Sequence, residues 1–276
     1  MFLLQGRDKH PLQRRWLLSL VLLLLCAQTV FAAVDPDVAA SALAQIRIDQ
    51  MNMTAESLAR SDPARAETIA SDAFVAARDQ RYERGRVEAL HNLGRIARLR
   101  GQLTAASGYV AEALSAAEAI GDTRLMAKIG NTYGAVLERQ GLDAESLAQH
   151  ERVQEMWRSI DDGPGLIASS INIARVFERR HAWNDAQRHY EAALQQLDAL
   201  PATDLVPPQD IAAIWLGQGR IALARNLVDQ AEYSFTRALK LQLDAHDIVG
   251  ESGARTGLAR MIQLSASTLC TACSTR

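Results

Sequence analysis

The feature that most constrains how this chain can fold is an internal repeat of about 40 residues. Placing Gly94 over Gly134 aligns two copies, and further shifts of 40 and then 45 residues add copies at Ala174 and Gly219. A fixed period in this range is typical of folds built by stacking one small unit many times. One unit cannot bury its own apolar face, so the sequence predicts a linear array stabilised by contacts between neighbours.

Each copy is predicted to be a pair of antiparallel helices. Ala, Leu, Arg, Glu and Gln dominate the composition, which favours helix over strand. The small residue at the alignment position would let a neighbouring helix approach closely, and Gly101 and Gly141 are placed to end the first helix. Each second helix is expected to bury small residues two turns apart around one large residue: Ala106, Val110 and Ala113; Ala186, Tyr190 and Ala193; Ala231, Phe235 and Ala238.

The second and fourth copies depart from this pattern. In the second copy Ser146 and Val153 occupy the small positions and His150 the large one, so looser packing is expected there. The five extra residues before the fourth copy fall in "ALPATDLVPPQD", Ala199–Asp210. Its three prolines exclude a continuous helix and predict a long surface loop.

These residues resemble the tetratricopeptide repeat in its longer-period bacterial subclass. The resemblance covers Glu83–Leu241 and extends more weakly over Pro63–Gln80 and Ile248–Leu264. It implies an all-α fold, a right-handed α-solenoid of antiparallel helix pairs, which we expect over residues 33–264. The remaining residues, 265–276, are predicted to be an unstructured tail.

The first 32 residues read as a secretory signal peptide. Arg14 and Arg15 precede an apolar run, and "VFA" ending at Ala32 suits cleavage. The chain would then be exported to the periplasm. The alternative is an uncleaved anchor in the inner membrane, since residues 16–34 are long enough to span a bilayer. Only in that case would the chain meet a membrane. The formal net charge of −2 gives no basic surface for nucleic acid.

No pattern in the sequence indicates catalysis, a metal or a cofactor, so the chain is predicted not to be an enzyme. "GQGR" at 217–220 lacks the Lys-Ser/Thr ending of a phosphate-binding loop. His181 and His189 are eight residues apart, which is not a usual ligand spacing. Cys270 and Cys273 have no second pair, so the simpler interpretation is an unstructured terminus, with or without a local disulfide formed after export.

First helices of such repeats line the inner groove, where a protein or peptide partner is expected. The candidate groove residues are His91, Arg95, Arg98, Asn131, Arg175 and Arg220. Arg95, Arg175 and Arg220 share one position, so they suit a peptide carboxylate or an acidic segment. The alternative is that these arginines are solvated and pair with Glu88, Glu138 and Glu178. The carboxylate-clamp residues of chaperone-binding relatives are not reproduced, since only Asn131 has a counterpart.

Two classes of function remain open. One is a free exported adaptor that binds partners through the groove. The other is the sensory region of a membrane signalling protein, a diguanylate cyclase or histidine kinase, truncated or frameshifted before its output domain. The second hypothesis predicts exposed apolar residues near Leu258, Met261 and Leu264, and self-association through an uncapped C-terminal repeat.

Overall fold

The computed structural model describes residues 35–201 and 203–274, and the predicted signal peptide or anchor lies outside them. The described residues form helices joined by short turns and one loop, without strands: α1 Pro36–Leu58, α2 Pro63–Asp79, α3 Glu83–Leu99, α4 Leu103–Ile120, α5 Thr123–Gln140, α6 Asp143–Ser159, α7 Gly163–Arg179, α8 Trp183–Ala199, α9 Pro208–Ala224, α10 Val228–Asp244 and α11 Ile248–Ser274. No helix among them is long and apolar enough to cross a membrane. The helix bounds confirm the predicted helix pairs.

Successive pairs stack into a right-handed α-solenoid, as the sequence predicts. The first helices α1, α3, α5, α7, α9 and α11 each contact the next first helix along the stack. Successive second helices make no such contact anywhere in the described chain. Because the first helices are packed more closely, they form the inner, concave face, and the second helices form the convex face.

The turns recur every 20 residues, because both halves of the repeat end in the same way. Apart from the turn between α1 and α2 and the longer loop between α8 and α9, each turn has one residue with a positive φ, as at Gly101 (77°), Gly121 (70°) and Gly141 (81°). The glycine ends predicted at 101 and 141 are thus confirmed. Residues with side chains adopt the same conformation in five further turns: Arg81, Asp161, His181, Asn226 and His246. The stacking geometry therefore imposes this conformation even where the sequence offers no glycine.

Large side chains of the second helices fill hollows made by small residues of the first helices. A Cβ added at Gly219 would lie 2.6 Å from the Phe235 ring, and one at Gly257 in the next first helix would lie 2.5 Å from it. Phe235 is only 1% exposed. Tyr190 packs on Gly217 in the same way. Each of these aromatic rings therefore joins its own helix pair to the following helix pair.

The second copy is densely packed, contrary to the looser packing that its sequence predicts. Ser146, His150 and Val153 have no exposed surface, and a Cβ at Gly134 would lie 2.4 Å from the His150 ring. The Ser146 hydroxyl donates a hydrogen bond of 2.9 Å to the carbonyl oxygen of Gly134. Both ring nitrogens of His150, however, lack a hydrogen-bond partner among the described residues. The departure from the pattern therefore changes the polarity of the buried side chains but does not loosen their packing.

The C-terminal region differs from the sequence expectation in two respects. Helix α11 continues to Ser274, beyond the predicted start of the tail at residue 265, because no Gly or Pro follows to end it. Met261 is buried, with 7% exposure, and Leu258 packs against the Phe235 cluster. Among the described side chains of this helix, Ile262 is instead the large apolar one that is exposed, at 62%. The Leu264 side chain lies outside the described set.

The long loop is confirmed but shorter than predicted, since it covers residues 200–207 between α8 and α9. Pro208 begins α9, where a proline fits the first turn. Leu200 packs on Gly163, whereas Leu205 is 84% exposed. Asp122 and Asp162 cap α5 and α7 by accepting hydrogen bonds of 2.9 and 2.7 Å from backbone amides.

Candidate functional site on the concave face

Polar side chains link successive first helices along the concave face. His91 Nε2 lies 2.7 Å from the Thr132 hydroxyl, and the Asn172 amide donates a hydrogen bond of 3.3 Å to Asn131 Oδ1. Burial, reinforced by the positive charges of nearby cationic side chains, lowers the pKa of His91 to about 3. His91 is therefore neutral at physiological pH, and it and Asn131 connect helices of the scaffold.

A series of ion pairs, which we call the ladder, runs along the same face. Its residues lie one to two helical turns beyond the position of His91 and Asn131. Arg175 Nη2 lies 3.3 Å from Glu138 Oε1 of the preceding first helix. Arg220 pairs with Glu178 in the equivalent register, with one contact of 2.8 Å. Both arginines are therefore neutralised by the glutamates that the alternative interpretation names for them.

Each ion pair of the ladder is one rung, and the rung formed by Arg220 and Glu178 also includes the buried phenol of Tyr190. The Tyr190 hydroxyl donates a hydrogen bond of 3.0 Å to Glu178 Oε2. Burial raises the pKa of Tyr190, so the hydroxyl keeps its proton. Burial also acts against the charge of Arg220, but hydrogen bonds and the charge of Glu178 outweigh it and the pKa of Arg220 is raised. This rung has a saturated carboxylate and offers little capacity for a ligand.

Arg95 makes a different pair from the one that sequence reasoning suggests. Its Nη1 lies 2.5 Å from Glu56 Oε1 on α1. Glu88 is engaged elsewhere, since it accepts a hydrogen bond of 3.3 Å from Arg84 on its own helix. Glu56 could not be chosen from the sequence because α1 lies outside the recognisable repeats.

Arg98 stands where the ladder is broken. The repeat places it at the position of Glu138 and Glu178, and the residue that should face it is Ala135 instead of an arginine. Arg98 makes no ion pair with any described residue, and its buried Nε has no hydrogen-bond partner there. A partly buried, unpaired guanidinium is unfavourable, because its lost hydration is not replaced.

More arginines surround this position. Burial, reinforced by the positive charges of four other arginines, lowers the pKa of Arg98 to about 10. We call this group the arginine cluster: Arg60, Arg95, Arg98, Arg139 and Arg175. Sequence reasoning missed Arg60 and Arg139. The nearby carboxylates are Glu56, Glu138 and Asp210, so positive charge is in excess.

An open cleft of about 770 Å³ lies at the C-terminal end of the concave face. Its lining includes the Glu178–Arg220 pair together with Trp183, Leu223 and Arg260. His181 also lines it and contacts Trp183 edge to face, with ring centroids 5.2 Å apart. His189 stacks on Phe177 at 5.4 Å instead. The two histidines are thus engaged with separate aromatic partners.

The fold defines a class, the helix-pair solenoids, and comparison with known proteins narrows it. Residues 125–199, which include most of α5 and all of α6–α8, match the family model described as tetratricopeptide repeat. No curated protein matches the chain in sequence. The family match thus identifies tetratricopeptide repeats in residues 125–199, and the described helix pairs on both sides stack in the same way.

Solved structures with similar folds share little sequence with this chain. Apo RapI is 12% identical with a TM-score of 0.60, over 82% of this chain and 84% of its own. BtubC (BKLC) from P. vanneervenii is 16% identical with a TM-score of 0.51, over 80% and 92%. NprR in complex with its cognate peptide NprX is 13% identical with a TM-score of 0.57, over 91% and 67%. At these identities the likeness establishes the fold alone.

Proposed function

We propose that this protein is a non-enzymatic interaction scaffold that binds a protein or peptide partner along its concave face. The observation that carries the proposal is the arginine cluster, because a scaffold with only a structural role would not gain from an unpaired charge at Arg98. The peptide-bound neighbour NprR is a fold precedent for such a role. The other candidate residues, His91, Asn131 and Arg220, serve mainly to hold the groove in shape.

A photo-crosslinking residue at Ala135 tests this proposal, since the side chain is small and lies on the concave face beside the broken rung. The matched control is the same residue at Ala148, which is exposed on α6 of the convex face. A partner captured at position 135 and not at 148 must then bind the unlabelled protein when purified. Equal labelling at both positions, or failure of the purified species to bind, contradicts the proposal.

As a second candidate, we propose the sensory region of an exported signalling protein, favoured by the apolar segment at residues 16–34 with its basic flank. On this reading the groove is the input site. Fractionation of cells that produce the full chain separates the possibilities. Recovery in the periplasm with residues 1–32 removed supports the exported adaptor, and recovery in the inner membrane with those residues retained supports the sensor. Recovery in the cytoplasm contradicts both.

A further inference from the structure

We infer that the broken rung at Arg98 is a binding site for one carboxylate group of the partner, which takes the place of the glutamate missing from the ladder. The inference rests on the proposed function and specifies which chemistry the concave face recognises. It assigns a direct ligand contact to Arg98, with Arg139 and Arg175 beside it, and a supporting role to the paired residues above and below.

The ladder itself shows what the site lacks. At two successive junctions a glutamate of one first helix accepts from the arginine of the next, as in Glu138–Arg175 and Glu178–Arg220. At the junction between α3 and α5 both partners are changed, to Arg98 and Ala135. The glutamate is replaced by a cation, and the arginine by a side chain too short to fill its space. An unpaired positive charge therefore lies at a junction where a small side chain takes the place of the arginine.

The guanidinium group suits this ligand in shape as well as in charge. Its fork donates two parallel hydrogen bonds to a carboxylate, as a single ammonium group cannot. The buried Nε of Arg98 lacks a partner in the described protein. An anion that binds there satisfies this donor, relieves repulsion among the arginines and restores the ladder.

The carboxylate can come from an acidic side chain or from the end of a chain, and two probes distinguish these sources. The first is a hexaglutamate peptide with acetylated and amidated ends. The second is a neutral six-residue Gly-Ser peptide with a free C-terminus. Isothermal titration calorimetry on the full chain measures the affinity for each. We expect at least one probe to bind, and its affinity to fall as salt screens the arginine cluster.

Three variants locate the binding. Arg98→Gln keeps a polar side chain and removes the charge, and it should weaken the bound probe about tenfold or more. Arg152→Gln removes an exposed arginine from the convex side of α6 and should leave the affinity unchanged. The double variant R98E with A135R rebuilds the missing rung within the protein. It should abolish binding while its melting temperature stays at or above that of the parent.

The outcomes are decisive in either direction. Loss of binding in Arg98→Gln and in the rebuilt variant, with both folded by circular dichroism, supports the site. Failure of both probes to bind the parent chain, or equal weakening by Arg152→Gln, overturns it. If crosslinking at Ala135 captures a partner that binds Arg98→Gln as tightly as the parent, this inference fails and the proposed function stands.

Discussion

At the scale of single residues, His150 is where burial and polarity conflict most strongly. The ring has no exposed surface and neither nitrogen has a described partner. Burial, with a smaller effect from Arg175, lowers its pKa to about 4. In the other clear copies the same position holds Val110, Tyr190 or Phe235, which make no comparable demand. The histidine is therefore a local weakness whose size depends on pH.

This weakness predicts that the protein loses stability in mild acid. The unfolded chain takes up a proton at His150 below a pH of about 6.5, whereas the folded ring stays neutral down to about 4. The stability associated with the neutral ring is complete above pH 6.5 and is lost as the pH falls toward 4. The slope is about 1.4 kcal/mol per pH unit for each such proton. His91, with its pKa lowered to about 3, acts in the same direction.

The variant His150→Phe should remove part of this dependence, because a phenyl ring fits over Gly134 as Phe235 fits over Gly219. Urea denaturation at pH 7 and pH 5 measures the free energy of unfolding. The loss between these two values should be smaller in the variant by about 2 kcal/mol. Equal losses in the parent and the variant would mean that the His150 ring is not neutral in the folded protein.

The positive-φ turns give a prediction with two opposite signs. Gly141→Ala places a Cβ where φ is 81°, so the free energy of unfolding should fall by about 1 kcal/mol. Arg81→Gly relieves the same strain at 52° and should raise it, by less, because glycine is more flexible in the unfolded chain. Thermal melts of the two variants check this pair. Shifts in the same direction would exclude backbone strain as the cause.

At the scale of helices, the contact between Gly134 and the His150 ring is the tightest test of the pairing. Gly134→Leu requires α5 and α6 to separate, so the free energy of unfolding should fall by about 1–3 kcal/mol despite the better helix propensity of leucine. Gly108→Leu on α4 is the control, since a Cβ there meets nothing within 4 Å. It should be neutral or slightly stabilising. A loss of similar size in both variants would argue against a close helix contact at Gly134.

The helices could be predicted from sequence where the repeat is regular, and less well at its edges. Small residues two turns apart identify α4, α8 and α10 directly. Helix α1 lacks the pattern, because the 40-residue shift places Thr54, and not a glycine or alanine, at the position of Gly94. The extension of α11 to Ser274 was missed because a polar composition suggested a tail, although no residue there breaks a helix.

The concave site was predictable only in its outline. Counting along the repeat placed Arg95, Arg98 and Arg175 on one face, because position within a helix follows from the period. It could not show which glutamate each arginine meets, since Arg95 pairs with Glu56 of the preceding first helix and not with Glu88 of its own, whereas Arg175 pairs with Glu138. Those choices depend on the offset between neighbouring first helices, which no short-range pattern encodes. That Arg98 has no ion-pair partner among the described residues can be seen only once the other pairs are known.

At the scale of the whole molecule, both terminal helices of the described stack expose large apolar side chains, such as Leu43 and Met53 on α1 and Ile262 on α11. Helix α11 packs on α9 and α10 and leaves Ile262 62% exposed. We predict concentration-dependent self-association of the full chain through Ile262. Light scattering should show that Ile262→Glu reduces it and that Val75→Glu, an exposed site at 44% on α2, does not. A parent chain that stays monomeric at all concentrations would contradict this prediction.

The unequal packing of the two faces allows the solenoid to flex along its length. First helices pack closely on their successors and form a continuous inner layer, whereas the backbones of successive described second helices lie further apart. A small rotation at each pair can therefore change the pitch of the superhelix without breaking outer contacts. Such rotations add up along the stack, so the width of the groove can adjust to the size of the bound partner.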